Sequence, residues 1–316
     1  LVHRMALWVS SQGERIAREL TLDSRSATIR LKENRAFSED SIKIVGANFT
    51  ITGTGWEWIG ETKEIVVEAD TVVEFTQAIT GGLTEATAAG PLKRTVIRSD
   101  QLVLQTTEED YHFEFSGSVR AVSGEMDLRS KVLIALADAP AGGDDAPKLG
   151  EGKLDAVREI EAIEAVRILQ GGRTVRAGEA KFLTREGRAT LAGSPEIEVA
   201  GAFLSGAVVR SQSGELVIEG SPAEGRAQMI LTDTGGLGLQ GMSALSEQTI
   251  VLADEINMQA IESGNRFLFS GRVEVMSGGV QLQAGRMTIL ADAAAKETAE
   301  ESTKATATEP EEEATA

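Results

Sequence analysis

Apolar and polar residues alternate in short runs along most of the chain. Clear examples are TKEIVVEADTVVEF (62–75), RFLFSGRVEV (266–275) and GVQLQAGRMTIL (279–290), in which β-branched and aromatic residues alternate with charged or polar ones. Each run is bounded by Gly, Ser, Asp or Asn, and this pattern is typical of half-buried β-strands. The 33 glycines also favour many turns between short strands. The pattern therefore predicts an all-β fold.

One segment does not follow the two-residue alternation. In DAVREIEAIEAVRIL (155–169), the apolar residues Val157, Ile160, Ile163 and Val166 recur every three positions. That spacing is compatible with one face of an amphipathic helix. From the residues alone, helix and strand both remain open for this segment.

The chain contains an internal duplication. Residues 95–138 align without gaps on residues 249–292, and 15 of the 44 aligned positions are identical. The identical pairs include Asp100 with Asp254, Phe113 with Phe267, Phe115 with Phe269, Gly117 with Gly271, Val119 with Val273 and Leu128 with Leu282. Repeated units of this kind usually stack, so that each one buries the surface that its neighbour exposes.

Within each copy, the alternation collects apolar side chains on one face of the predicted strands. The candidate residues of this face are Phe113, Phe115, Val119, Met126 and Leu128 in the first copy, and Phe267, Phe269, Val273, Val275, Val280 and Leu282 in the second. The face either forms an ordinary core or lines a trough that holds a lipid chain. Each methylene buried in such a trough would contribute about 0.8 kcal/mol.

Composition divides the chain into segments. Residues 139–154 are rich in Gly, Pro and Asp and are predicted to be a linker, and residues 293–316 have no large apolar residue and are predicted to be a disordered acidic tail. Two folded units are expected between these breaks, at 17–138 and 155–292. Residues 1–16 form an N-terminal lead, and it remains open whether a signal peptide or membrane anchor preceded it.

Charge and residue usage argue against several function classes. A net charge of −18 argues against nucleic acid as a partner. The chain has no cysteine, and its only histidines are His3 and His112, so neither a zinc site nor a Ser-His-Asp triad is expected. The glycine motif of TGGLGLQG (234–241) is followed by a strand pattern, which argues against dinucleotide binding. We therefore expect no enzymatic activity and no cofactor.

The repeated unit resembles a known family. A strand that begins at an aspartate (SDQLVLQ, ADEINMQ), then FEFSGSV or FLFSGRV, then a glycine turn, is similar to the OstA-like repeat of the periplasmic lipopolysaccharide-transport proteins, the LptA/LptC family. The segment from Ser41 to Phe75 looks more like LptC, and the segment from Glu164 to Gly220 is similar to LptA-type proteins. The second likeness favours strand for residues 165–169. Together the likenesses cover about 17–292.

The resemblance implies a fold and a function. The family fold is an open β-jellyroll, here expected as more than one unit in tandem, LptC-like at 17–138 and LptA-like at 155–292. Its interior binds the acyl chains of lipopolysaccharide or a related amphiphile, at positions matching Phe113, Phe115, Val119, Phe267, Phe269 and Val273.

The resemblance also implies a location and partners. Members of the family lie in the periplasm and bridge the inner and outer membranes. The expected partners are other Lpt-type jellyrolls, which pair through edge strands, and an inner-membrane transporter complex, to which a segment outside this sequence would anchor the protein. Because the chain is longer than a single jellyroll, the choice between an LptA-like and an LptC-like role is open. The alternative function is a structural β-solenoid scaffold without lipid cargo.

Overall fold

The protein is described here by a computed structural model, which covers residues 3–5, 20–46, 48–76, 94–107, 110–138, 157–199, 202–212, 215–231, 248–261, 264–277 and 279–292. These residues form one sheet of 22 strands, and every ladder in it is antiparallel. No helix occurs in the described part of the chain. The predicted all-β fold is thereby confirmed.

The strands of the first half of the chain are β1 (His3–Met5), β2 (Thr21–Ser24), β3 (Thr28–Arg30), β4 (Arg35–Val45), β5 (Phe49–Ile59), β6 (Glu64–Phe75), β7 (Thr95–Ser99), β8 (Gln101–Thr106), β9 (Asp110–Ser123) and β10 (Met126–Asp138). Those of the second half are β11 (Val157–Gln170), β12 (Arg173–Leu183), β13 (Arg188–Ala192), β14 (Glu196–Val199), β15 (Ala202–Ser205), β16 (Val208–Gln212), β17 (Glu215–Glu219), β18 (Ala227–Leu231), β19 (Thr249–Ala253), β20 (Glu255–Ile261), β21 (Gly264–Ser277) and β22 (Val280–Asp292).

The sheet is folded into two walls, because the long strands change partners halfway along their length. The first half of β9 pairs with β8 and its second half with β7. We call the ladders that contain β8, β13, β16, β17 and β20 the first wall. The ladders that contain β2, β7, β14, β15, β18 and β19 are the second wall. The long strands, such as β6, β9 and β10, run through both walls and bend between them.

The core lies between the two walls. The Phe49 ring on the second wall meets the Phe113 ring on the first wall edge to face, with centroids 4.9 Å apart. Phe75, also on the second wall, lies 5.2 Å from Phe113. The buried apolar side chains form one cluster that extends from Leu22 to Val273. The two walls therefore share a single apolar interior over the length of the sheet.

The sheet continues from the first predicted unit into the second. Strand β10 pairs with β11 in both walls, between Asp127–Leu169 at one end and Ala137–Val157 at the other. The predicted linker 139–154, the acidic tail 293–316 and the glycine motif at 234–241 lie outside the described residues. The division into units at 17–138 and 155–292 stays a prediction.

Within the ambiguous segment, residues 157–169 are strand, as the family resemblance favoured for 165–169. Its inward residues include Ile160, Ala162, Val166 and Ile168, which follow a two-residue period. Register shifts lie before Ile160 and between Ile163 and Val166, where the chain bends. These interruptions produce the apparent three-residue period, because a bend adds residues between two inward positions.

Candidate functional site

The sequence duplication is also a structural repeat. Strands β7, β9 and β10 begin at Thr95, Asp110 and Met126, and β19, β21 and β22 begin 154 residues later in each case. A contact between two hydroxyl side chains is repeated with them. Thr95 Oγ1 lies 3.0 Å from Ser123 Oγ, and the corresponding pair in the second copy, Thr249 and Ser277, is 2.8 Å apart. The two copies therefore form corresponding strands of the sheet, joined by the same side-chain contact.

The aspartate and the glycine of the repeated motif meet at the bend between the walls. Asp100 lies between β7 and β8, where the chain crosses from the second wall to the first, and Gly117 lies opposite it in the bend of β9. Gly117 has φ of +96°, and a Cβ at this position would lie 2.2 Å from Asp100 Oδ2. The backbone N–H of Ser118 donates to the same oxygen at 2.9 Å. Only glycine leaves room for this carboxylate in that backbone conformation.

The second copy repeats this corner with a different donor. Gly271 has φ of +67°, and a Cβ there would lie 2.4 Å from Asp254 Oδ2. Arg272 Nη2 donates to Asp254 Oδ1 at 2.7 Å, and its Nε donates to the same oxygen at 3.0 Å. Through these bonds the Arg272 guanidinium lowers the pKa of the Asp254 carboxyl below its ordinary value. The repeated aspartate and glycine thus form a bend that holds the two walls together.

In the first copy the candidate apolar face is filled by the protein's own side chains. Phe113, Phe115 and Leu128 have no exposed surface, and Val119 and Met126 are 2% and 3% exposed. The Phe113 ring contacts those of Phe49, Phe75, Tyr111 and Phe115. At this point along the sheet, the residues predicted to line a trough are packed in a continuous core.

In the second copy the candidate residues divide into two groups. Phe267, Phe269 and Val273 on β21 are buried, and Val275 is partly buried against the core. Val280 and Leu282 on β22 are 55% and 48% exposed. Side chains that lie directly opposite each other on paired strands point to the same face. Since Leu282 lies opposite Val275, it points inward, beyond the last covered layer.

Strand β22 therefore ends the interior with an apolar surface. Its inward residues form what we call the terminal apolar face: Val280, Leu282, Ala284, Met287 and Ile289. The last three were not among the candidate residues. A register shift between Ser270 and Val273 of β21 changes which positions of β22 point inward. Ile289 could have been found from the sequence only by placing that bend, which the glycine of FSG marks.

Both ends of the sheet have strand edges without a partner among the described residues. At the C-terminal end the free edge is that of β22, 13 residues long. At the other end β1 and β3 are the last strands, and Ile29 on β3 is 54% exposed. Such edges offer unpaired N–H and C=O groups to another strand.

The described residues contain no cluster of His, Cys, Asp or Glu that could hold a metal ion. In the same part of the chain there is no helix of the length and apolarity that crossing a membrane requires. His112, the one histidine whose surroundings are described, lies on the outer face of β9 between the buried Tyr111 and Phe113.

In comparisons with known proteins, no family model matches the chain, and no curated protein matches it.

Proposed function

We propose that the protein carries lipopolysaccharide or a related amphiphile through the periplasm, with the acyl chains held between the two walls, as a bridge or adaptor between the inner and outer membranes. The observation that supports this most is the terminal apolar face. It continues the buried interior beyond β21, yet Val280 and Leu282 are about half exposed. An apolar interior that opens at one end offers acyl chains a place that is shielded from water on two sides.

The free energy available at such a face is substantial. Burial of each methylene contributes about 0.8 kcal/mol, so ten methylenes would contribute about 8 kcal/mol before the entropy lost on binding. Apolar contacts alone are sufficient for this cargo, and no catalytic group is needed. The proposed function is accordingly that of a carrier and not of an enzyme.

The proposed architecture is a tandem of OstA-like β-jellyrolls. The two-walled antiparallel sheet and the repeated corner support it, because a jellyroll is a sheet folded onto itself around one apolar interior. In this proposal the free edge of β22 pairs with an edge strand of another Lpt-type protein. The apolar interior of this protein would then continue into that of its partner. The other end would face an inner-membrane transporter complex.

The test compares two neighbouring residues of β22 that point to opposite faces. A photo-crosslinking amino acid replaces either Leu282, on the terminal apolar face, or Gln283, which lies opposite Glu274 on the outer face. The full chain is expressed in a cell envelope and irradiated. We expect labelling of lipopolysaccharide from position 282 and little from position 283. Equal labelling from both positions, or none from position 282, would refute a lipid-carrying face.

The alternative, a scaffold without lipid, is favoured by a different observation. Around Phe113 the interior is filled with aromatic rings, and no space for cargo is needed to explain the fold. Native mass spectrometry of protein taken from the envelope distinguishes the two functions. A carrier would retain a bound amphiphile, whereas a scaffold would form lipid-free assemblies.

A further inference from the structure

A row of arginines crosses the outer face of the second wall. The register places them directly opposite one another on five neighbouring strands: Arg98 on β7, Arg120 on β9, Arg129 on β10, Arg167 on β11 and Arg176 on β12. We call these residues the arginine row. Neighbouring strands lie about 4.8 Å apart, so the row is about 19 Å long.

The arginine row faces outward along its whole length. All five side chains are exposed, with exposed fractions of 50%, 55% and 51% for Arg120, Arg129 and Arg176. The residues that follow or precede them on the same strands, such as Ala121, Leu128 and Ile168, are fully buried in the core. The row is thus separated from the apolar interior by the thickness of the sheet.

Sheet stability does not explain this arrangement. Like charges directly opposite each other destabilise a sheet, and the chain as a whole has a net charge of −18. A comparable row on the first wall is mixed, because Ile134, Glu161 and Lys181 lie opposite one another there. The arginine row therefore concentrates positive charge on an otherwise acidic protein.

The acidic side chains of the protein neutralise only part of the row. Asp127 accepts from Arg120 at 2.7 Å and lies 3.7 Å from Arg129. Glu196 and Glu198 lie at 4.0 and 3.9 Å from Arg176. Within the described residues, Arg98 and Arg167 have no ion-pair partner. The guanidinium groups of Arg98, at one end of the row, and of Arg167, next to its other end, are thus free to bind an external anion.

The positions next to the row on the same face are largely apolar. Val96, Val122 and Leu169 occupy them on β7, β9 and β11, with Asp127 on β10 between the last two. All four side chains are partly exposed. The outer face of the second wall therefore presents a line of guanidinium groups beside three apolar side chains, with the Asp127 carboxylate between Val122 and Leu169 and Glu74 opposite Val96.

We propose that the arginine row docks the second wall onto a lipid surface that carries phosphate headgroups. The planar guanidinium group donates two parallel hydrogen bonds to a phosphate, which a lysine cannot do. A single phosphate would occupy only one or two of the arginines. A lipid surface presents many phosphates over 19 Å, and its interfacial region accommodates the adjacent valine and leucine side chains. This docking goes beyond the proposed carrier function, since it uses the outside of the sheet.

The test is flotation of the full chain with vesicles of phosphatidylcholine that contain phosphatidic acid. The informative variant combines Arg98→Gln with Arg167→Gln. The matched control combines Arg188→Gln with Arg210→Gln, which removes the same charge from the first wall. Each arginine near an anionic surface contributes about 1 kcal/mol, so we expect about 30-fold weaker binding for the first variant. The control should stay within about threefold of the unmodified protein, and vesicles of phosphatidylcholine alone should not bind.

Three outcomes would overturn the proposal. The first is equal weakening in both variants, which would show only a general effect of charge. The second is vesicle binding that persists in the variant Arg98→Gln with Arg167→Gln while this variant loses binding of pyrophosphate, which would assign the row to a soluble phosphate compound. The third is binding that appears only when Glu309, Glu311, Glu312 and Glu313 are changed to Gln, which would assign the row to the chain's own acidic segment. Far-UV circular dichroism and urea midpoints of all variants confirm that each is folded.

Discussion

Substitution of Gly117 by alanine tests the role assigned to the repeated glycine. The new Cβ would lie 2.2 Å from Asp100 Oδ2 and 2.6 Å from Asp100 Cβ, which is close to the backbone and cannot rotate away. A non-glycine residue at a positive φ costs about 1–2 kcal/mol, and the overpacking adds about 1–3 kcal/mol. We expect Gly117→Ala to lower the free energy of unfolding by about 2–5 kcal/mol in total.

The chain provides a matched control at Gly172, in the turn between β11 and β12. Gly172 has φ of +76°, but a Cβ there would have no atom within 4 Å. Gly172→Ala should therefore cost only the backbone term of about 1–2 kcal/mol. Urea unfolding, followed by far-UV circular dichroism and by tryptophan fluorescence, measures both variants under the same conditions.

The crowding of the corner can be measured separately from the backbone strain. In an Asp100→Gly background the obstructing side chain is absent, so Gly117→Ala should cost no more there than Gly172→Ala does in the unmodified protein. Additive effects of the two changes at the corner would refute the reasoning, as would equal costs for Gly117→Ala and Gly172→Ala. Either result would mean that the aspartate does not require the glycine.

Three further predictions concern the core and the outer face. Phe113→Ala should lower the free energy of unfolding by about 3–5 kcal/mol, because it leaves a cavity among aromatic rings. Leu282→Ala, on the half-exposed terminal apolar face, should lower it by less than about 1 kcal/mol. Urea unfolding measures both variants. Thr95→Val or Ser123→Ala alone should cost about 1–3 kcal/mol, since either change removes the buried hydrogen bond between the two side chains. The double variant should cost less than the sum of the two in a double-mutant cycle. The hydrogen bonds from Arg120 lower the pKa of Asp127. This carboxylate therefore stabilises the fold above its unfolded pKa of about 3.9. The stabilisation is lost as the pH falls through the lower pKa of the folded state. The urea midpoint measured from pH 6 to pH 2 should therefore fall less steeply below pH 4 in Asp127→Asn than in the unmodified protein.

The duplicated segment has different surroundings in its two copies. Around the first copy, β6 and β11 continue the sheet on both sides, so the same apolar positions are buried from both directions. The second copy is the last layer of the described sheet, and the inward side chains of β22 have no further layer against them. Position along the sheet, and not the motif, thus determines whether the apolar face is core or surface.

The sequence by itself determined the secondary structure of most of the chain and the existence of the repeat. Alternation identified the strands, because side chains of a strand point to opposite faces at every second residue. The aligned copies also located the residues of the corner, since Asp100 and Gly117 are identical to Asp254 and Gly271. These features depend on local periodicity and on identity between segments, both of which are visible in one sequence.

The tertiary structure decided what the periodicity could not. Bends add residues between inward positions, which made β11 resemble a helix and left Ile289 out of the apolar face. Only the pairing of β21 with β22 showed that Val280 and Leu282 lie at the end of the described sheet while Phe113 and Phe115 lie in a filled core. The arginine row was likewise invisible, because its members come from five strands between residues 98 and 176 and become neighbours only through register. Burial and charge clustering are properties of contacts between distant segments, and those contacts form only when the sheet folds.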